Sequence, residues 1–383
     1  MIVLGKDIED KNIFKILVFI WIMSIPFKNA VYQISVITII VFFLYYLIKF
    51  KNFSILFENL KNTKYLFLGF FSIILSMIIS NLFNLEYLDN KSWHIIYMFV
   101  IRYGLIFVIL TYFYKLDFFN KKEIIATVLL SLIFLMFTGI YEIIGNMNVV
   151  MSRGILGTLD NRNTFGLFMG MGVVLSLLIV KDYKLIGLVL ILMFSFFMIF
   201  SFSRSSWVAS TSSIFILFIL NYKKIKIVHL GYIVIFLTFL ITLYFNFDSF
   251  QNRFDQLISG YSSNRIEIWM HTIALIKDNF IFGYGIDSWN NLPDSYLVRF
   301  PNPHNLFLEI LINIGLLGLG IYIFTVMVII VKIISSKNFI LLPVASYFLI
   351  VTLFDFSIFT SKELLSFLTI FIFLVYSNDF KKV

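Results

Sequence analysis

The chain has 383 residues, of which 60% are hydrophobic and 48 are phenylalanine, and it contains no cysteine. Apolar runs of about twenty residues exclude a soluble domain and are typical of transmembrane helices. Because these runs are continuous rather than alternating, they also exclude a membrane β-barrel. The formal net charge of +9 resides in short loops between the runs, where basic residues act as topology signals rather than as a nucleic-acid-binding surface.

Twelve apolar segments are predicted to span the membrane as α-helices. In chain order they are residues 12–27, 30–48, 65–83, 94–114, 124–145, 163–180, 185–203, 205–221, 227–246, 304–331, 339–358 and 363–377. The sequence therefore predicts an all-α, polytopic transmembrane protein that forms a single integral membrane domain over residues 1–383.

The largest polar loop, residues 247–303, lies between the ninth and tenth segments. Within it, residues 265–277 are predicted to form an amphipathic helix that lies along the membrane interface. Its predicted apolar surface comprises Ile266, Trp269, Met270, Ile273 and Leu275 or Ile276. Trp269 and Trp289 are expected at headgroup depth, and His271 is expected to be solvated.

Lysine placement predicts the orientation. With a cytoplasmic N-terminus, 19 of the 23 lysines fall on the cytoplasmic side, as the positive-inside rule requires. Twelve spans then place both termini in the cytoplasm and residues 247–303 on the outer face.

Arginine has the opposite distribution, because six of the seven arginines fall on the outer side. These six are Arg153, Arg162, Arg204, Arg253, Arg265 and Arg299. The seventh, Arg102, lies about eight residues inside the fourth segment, or roughly 12 Å deep. Arginine grips phosphate with a fixed fork, so the distribution favours an anionic substrate, although pairing with headgroups or acidic loop residues is the plainer alternative.

Three carboxylates, Glu142, Glu309 and Asp355, also lie in the outer parts of their predicted helices. Ionisable groups at such depth are costly and usually face a cavity or a partner. A structural pair between Arg102 and one of these carboxylates is favoured slightly over a catalytic role.

His304 follows Pro303 at the start of the tenth segment. Free N–H groups at a helix start disfavour a protonated imidazole, which suits a general base, but a histidine that caps the helix is an equal alternative. Arg204 lies in a short turn whose flanking serines are expected to offer donors to an anion. The glycines in residues 282–287 permit a tight turn or a close backbone approach, and by themselves are weak evidence of phosphate binding.

Outer arginines, a neutral base and a membrane-depth cavity suit transfer from a lipid diphosphate. The sequence has no nucleotide-binding motif, and its outer loops lack the acidic clusters that bind divalent metals, so the prediction is an enzyme without metal or cofactor. A transporter of lipid-linked sugars is an alternative, but transporters tend to have paired halves and midplane sites.

The motifs resemble those of the O-antigen ligase/polymerase family of bacterial membrane glycosyltransferases. His304-Asn305, nine residues, Gly315, two residues and Gly318 match one family pattern. Ser203-Arg204 with Trp207 is similar to a second, and Arg265 with Trp269 followed by Gly283-Tyr284-Gly285 resembles a third. Residues 153–158 with Asn163 resemble a fourth, looser signature.

The resemblance implies a GT-C-like fold in the bacterial inner membrane and a periplasmic active site within the reach of residues 247–303. It implies inverting transfer of a glycan from undecaprenyl diphosphate, with His304 as the base and Arg204 and Arg265 on the diphosphate. The acceptor would be lipid A-core in a ligase or another lipid-linked glycan in a polymerase, and the motifs do not separate the two. Further candidates for supporting roles are Arg153, Asn163, Arg102, Asn305, Glu309 and Arg299.

Overall fold

The computed structural model describes residues 2–27, 29–159, 161–180, 182–224, 238–260, 264–354 and 357–380. Within these residues the regular structure is helical and contains no strand, so the predicted all-α fold is confirmed. The longer helices are α1 (Ile2–Ser24), α2 (Asn29–Phe50), α3 (Phe53–Asn62), α4 (Lys64–Phe83), α5 (Asn90–Lys115), α6 (Lys121–Arg153), α7 (Arg162–Ile179), α8 (Lys184–Phe200), α9 (Arg204–Leu220), α10 (Asp248–Ile258), α11 (Arg265–Asp278), α12 (Leu306–Ser335), α13 (Leu342–Thr352) and α14 (Lys362–Tyr376).

Among the described residues, six helices are long and apolar enough to cross a membrane: α2, α4, α5, α6, α7 and α12. Shorter apolar helices include α8 and α9. Helices cover every predicted segment except the ninth, of which residues 227–237 lie outside the described residues. The count of twelve spans stays a prediction.

The outward faces of these helices are apolar. On α2, Ile34, Ile37 and Val41 follow helical spacing and are each more than half exposed. Val36 and Phe43, on the other face of α2, are buried. Exposed apolar stripes of this kind are solvated by lipid chains rather than by water, as expected for membrane helices.

The structure differs from the prediction in several places. The non-helical residue Asn146 divides α6, so its first part ends where the fifth segment was predicted to end, and a second helical part ends at Arg153, which was predicted to lie in a loop. The eleventh segment is shorter than predicted, since α13 ends at Thr352. The prediction missed two helices: α3, which lies between the second and third predicted segments, and α10, which lies in the polar loop and is mainly polar in composition.

The chain divides into two compact units. Unit 1 comprises residues 1–131, 264–338 and 352–383, and unit 2 comprises residues 132–263 and 339–351. In unit 1, α12 packs along α4 and α11 packs on α12. In unit 2, α7 packs on α8 and α9, and the Tyr347 hydroxyl of α13 donates to the Leu167 carbonyl of α7 at 2.7 Å.

Candidate active site

His304 lies directly before α12 in a backbone conformation that is uncommon for a non-glycine residue. Its φ is +50°, and its backbone N–H donates to Asn302 Oδ1 at 2.8 Å. Asn305 caps the helix, because its side-chain oxygen accepts from the N–H groups of Phe307 at 3.0 Å and Leu308 at 3.2 Å. The capping alternative for His304 is therefore wrong. Left-handed backbone at such a residue costs about 1–3 kcal/mol and recurs at functional sites. Six other non-glycine residues in the described part of the chain also adopt it: Lys51, Asp117, Phe202, Asn264, Asp287 and Lys337.

Helix α11 fixes the backbone just before His304. The Trp269 Nε1 donates to the Pro303 carbonyl at 3.0 Å. Arg265 begins α11 and precedes Trp269 by one helical turn, so both side chains lie on the same face of the helix. One indole thus connects the helix that carries Arg265 to the residue that precedes His304.

The predicted helix at residues 265–277 is confirmed, and it has a second apolar face that the prediction did not include. On this second face, Ile268 and Ile276 point into a buried cluster in unit 1. Ile266, Met270 and Ile273, which belong to the predicted apolar surface, are exposed. Helix α11 therefore has two apolar faces, one packed on protein and the other exposed. The location of the exposed face at the membrane interface stays a prediction.

Trp289 belongs to that buried cluster, and the headgroup depth predicted for it stays a prediction. Only 6% of its surface is exposed, and its Nε1 donates to the Phe300 carbonyl at 2.7 Å. The hydrogen bond satisfies the indole N–H inside an apolar environment, which explains how the residue can be buried.

The His271 side chain is not simply solvated, because it contacts Asp294 and Tyr296. Its Nδ1 lies 2.6 Å from Asp294 Oδ2, and its ring stacks on Tyr296 with 4.6 Å between centroids. Burial alone would raise the pKa of the Asp294 carboxyl, but the hydrogen bonds from His271 and from the Tyr296 backbone N–H hold that pKa below its usual range. Arg299 is exposed, with its guanidinium 6.0 Å from the Tyr296 ring centroid.

The glycines of two sequence motifs meet in unit 1. At Gly315, φ is +65° and ψ is −167°, which interrupts α12. The freed N–H of Leu316 donates to the Phe280 carbonyl at 2.9 Å, and the N–H of Tyr284 donates to the Ile312 carbonyl at 2.7 Å. A Cβ on Gly283 would lie 2.7 Å from the Asn313 carbonyl carbon, so the expected close backbone approach is confirmed.

Helix α4 and the residue that follows it supply three polar side chains to this junction, and sequence reasoning missed all three. The Ser80 hydroxyl donates to the Asn313 carbonyl at 2.7 Å, and the Asn84 Nδ2 donates to the Gly283 carbonyl at 2.9 Å. Asn81 Oδ1 accepts the N–H of Ile286 at 2.8 Å. The only signal in the sequence is the spacing of polar residues on one face at the end of an otherwise apolar helix.

Glu309 and Glu142, two of the carboxylates predicted at membrane depth, form hydrogen bonds with groups other than Arg102. Glu309 is buried, and its Oε2 accepts the Ile358 N–H at 3.3 Å. Glu142 Oε1 accepts from Arg153 Nη2 at 2.9 Å. An Arg102 pair with either carboxylate is therefore wrong, and Asp355 lies outside the described residues.

In unit 2, Arg204 is the first residue of α9 and follows a turn of buried serines. The Ser203 hydroxyl lies 2.9 Å from that of Ser206 and 3.1 Å from that of Ser205, so these hydroxyls bond each other, and their expected donation to an anion stays a prediction. The Trp207 Nε1 donates to the Met198 carbonyl at 3.1 Å, which ties α9 to the end of α8. The serines and the tryptophan of this motif thus shape the turn that presents Arg204.

Arg253 and Arg204 both donate hydrogen bonds to Gln256. Arg204 Nη1 donates to the Gln256 carbonyl at 3.1 Å, and Arg253 Nη1 donates to the Gln256 Oε1 at 2.9 Å. Two guanidinium groups from α9 and α10 therefore converge on the same residue within unit 2.

The segment after α6 is organised around Glu142. Its Oε2 accepts the N–H groups of Leu156 at 2.9 Å and Gly157 at 2.6 Å. Arg162 Nη1 donates to the Arg153 carbonyl at 3.0 Å, and Asn163 donates its N–H to Asn161 Oδ1 at 2.8 Å. In the described contacts, Arg153 serves the fold of this segment.

The helices and their apolar outer faces define a multi-pass membrane protein. Residues 188–323 of the chain match a family model described as O-antigen ligase. This range contains Arg204, Arg265, His304 and Gly315, so the resemblance to the O-antigen ligase family is confirmed, and members of that family are glycosyltransferase-like enzymes of lipid-linked glycans. No match was found among curated proteins.

Proposed function

We propose that this protein transfers a glycan from undecaprenyl diphosphate to an acceptor hydroxyl at the periplasmic face of the bacterial inner membrane. The proposed acceptor is lipid A-core, as in O-antigen ligation, and the alternative is a second lipid-linked glycan, as in polymerisation. The observation that carries the proposal is His304, a non-capping histidine in left-handed backbone, held by the helix of Arg265 inside a segment that matches the family.

In the proposed reaction, the His304 imidazole accepts the proton of the acceptor hydroxyl. The acceptor oxygen then forms a bond to the anomeric carbon, and the bond between that carbon and the diphosphate oxygen breaks. The electron pair leaves with undecaprenyl diphosphate. A single displacement inverts the anomeric configuration. Loss of a general base such as His304 typically lowers the rate ~10²–10⁴-fold.

Arg265 and Arg204 are proposed to bind the diphosphate. A guanidinium group supplies two parallel donors to phosphate oxygens and remains charged at every relevant pH. Negative charge develops on the diphosphate as the bond breaks, and these donors would stabilise it without a metal. Because Arg253 shares Gln256 with Arg204, we assign Arg253 to the same anion.

The purified protein tests this proposal in liposomes that contain the undecaprenyl-diphosphate glycan and lipid A-core, with and without EDTA. The expected result is a new glycolipid whose yield is the same in both conditions. Failure to form a glycosidic bond with either acceptor, combined with passage of labelled lipid-linked sugar across the bilayer, would instead establish a transporter.

A deletion strain separates the two transferases on a glycolipid gel. Loss of a ligase leaves core without polymer, whereas loss of a polymerase leaves core that bears a single repeat. The proposal of ligation is contradicted by the second pattern.

A further inference from the structure

A second basic cluster occurs in unit 1, and the proposed transfer does not use it. Lys362 Nζ lies 5.5 Å, and Arg102 Cζ 5.7 Å, from the ring centroid of Tyr32. Tyr32 and Lys362 are buried, and Arg102 is partly buried. We call these three residues the Tyr32 cluster.

The Tyr32 cluster has more positive than negative charge. Lys362 Nζ donates to the Phe27 carbonyl at 2.5 Å and lies 3.6 Å from Glu363 Oε1. Among the described residues, no carboxylate forms an ion pair with Arg102. Two cations therefore face one carboxylate at a depth where an uncompensated charge is costly.

The backbone around Arg102 departs from regular α-helix. Residues Val100–Leu105 form a π-helical turn within α5. Such turns are rare and occur frequently at functional sites, because they reorient side chains at a cost in helix stability. The turn lies about three helical turns into the 26-residue helix Asn90–Lys115, well inside an apolar span.

The neighbouring side chains hold the ring in place. The Tyr32 hydroxyl lies 2.8 Å from the Ser366 hydroxyl of α14. Ser361 caps α14 by accepting the Leu364 N–H at 3.2 Å, so the positive end of that helix dipole is beside Lys362. The cluster therefore joins α2, α5 and α14 around a fixed aromatic ring.

We propose that the Tyr32 cluster binds the phosphate group of a lipid. A phosphate supplies the negative charge that the cluster lacks, and the Arg102 fork and the Lys362 ammonium are the two standard phosphate-binding groups. A lipid is the source because Arg102 lies within an apolar span, where a soluble anion would have to leave water completely. The phosphate could belong to an isoprenyl phosphate or to an anionic phospholipid.

Two probes distinguish these sources: farnesyl monophosphate and phosphatidylglycerol. Each is titrated into the full-length protein in dodecyl maltoside micelles, which contain no phosphate, and binding is measured by native mass spectrometry. All proteins carry Arg204→Gln, Arg253→Gln and Arg265→Gln, so that the arginines assigned to the diphosphate do not contribute. The inference thereby stands or falls separately from the proposed transfer.

In this background, Arg102→Gln and Lys362→Gln are each expected to weaken binding about 10-fold, the effect of losing one charge-assisted hydrogen bond. Arg102→Lys keeps the positive charge but loses the bidentate geometry of the guanidinium group. Its affinity should therefore lie between that of Arg102→Gln and that of the protein with Arg102. Lys277→Gln is the matched control, because it removes an exposed lysine near the end of α11.

If the cluster variants lose affinity for farnesyl monophosphate alone, the ligand is an isoprenyl phosphate. If they lose affinity for phosphatidylglycerol alone, the ligand is a phospholipid. Lower affinity for both probes identifies a general lipid-phosphate site. Unchanged binding of both probes, or an equal loss in Lys277→Gln, overturns the proposal. A measurement without cluster variants guards against misfolding. Farnesyl monophosphate or phosphatidylglycerol should raise the Tm of the Arg204→Gln, Arg253→Gln, Arg265→Gln protein, whereas the phosphate-free compounds farnesol and diacylglycerol should not. If neither phosphate lipid raises the Tm above that with its phosphate-free counterpart, the proposal is also overturned.

Discussion

The Trp269 indole determines where the backbone before His304 lies. It reaches the Pro303 carbonyl from α11, the helix that begins with Arg265. A base and a phosphate-binding group on separate elements need such a link, because small displacements of reacting groups are costly in rate. Trp269 is thus a positioning residue for His304 rather than a catalytic one.

Trp269→Phe tests this role. Phenylalanine keeps most of the packing but loses the hydrogen bond to Pro303, so kcat is expected to fall about 10-fold while the KM for the donor changes little. Trp289→Phe is the control, since it removes a comparable bond to the Phe300 carbonyl inside the same unit. Equal losses of kcat in both variants would contradict a specific role for Trp269.

The stability of the protein is expected to depend on pH through the His271–Asp294 pair. The pKa of Asp294 is lowered in the folded protein, so its contribution to stability is fully present above the unfolded value of about 3.9 and is lost as pH falls through the folded value. The difference in Tm between wild type and Asp294→Asn should therefore shrink as the pH falls below about 4. Asp278→Asn, at an exposed site that ends α11, is the control. A difference that grows as the pH falls below about 4 would contradict the assignment.

At the scale of elements, the broken helix α12 explains why two glycine motifs occur together. The interruption at Gly315 frees backbone groups that pair with residues 280–285, and Ser80 of α4 and Asn84, which follows that helix, complete the junction. Irregular backbone at membrane depth is tolerated only where its polar groups are satisfied by protein or water. Here protein groups satisfy them, so the segment between α11 and α12 is anchored at both ends.

Gly315→Ala is expected to disrupt this junction. A Cβ there would lie 2.1 Å from the Ile281 carbonyl oxygen, in a backbone region that side chains rarely adopt. The expected loss is about 3 kcal/mol or more, seen as a lower Tm and poor recovery of folded protein.

Gly320→Ala on the same helix is the control for that variant. Among the described residues, a Cβ at this position would meet no atom of another element within 4 Å. Alanine also favours helix, so the stability of this variant should be equal to that of wild type or about 0.5–1 kcal/mol higher. Equal stability of the Gly315→Ala protein and wild type would show that the close approach is not required.

Apolar run length was enough to predict the long apolar helices, and also α9 and α14, because membrane spans must satisfy their backbone internally. Helices α3 and α10 were missed, since neither contains a long apolar run. At the site, residue chemistry indicated His304, Arg204 and Arg265. The roles of Asn81, Trp289 and His271 depend on contacts with distant segments, such as Asn81 with Ile286, and no local pattern encodes those contacts.

At the scale of the whole molecule, the lysine and arginine distributions predict that residues 247–303 face the periplasm. The chain has no cysteine, so single cysteines can be introduced as unique labels. Asn290→Cys, at an exposed position between α11 and α12, should react with a membrane-impermeant maleimide in intact spheroplasts. Lys337→Cys, after α12, should react only once the membrane is permeabilised, and the reverse pattern would contradict the predicted orientation.

The role of His304 as the general base of a glycan transfer is tested most directly by measuring transfer and donor binding in one purified variant. His304→Ala should bind the undecaprenyl-diphosphate glycan about as tightly as wild type but transfer it ~10²–10⁴-fold more slowly. Asn305 still caps α12 in this variant, so the helix start is retained. Near-normal transfer by His304→Ala would contradict the proposed mechanism.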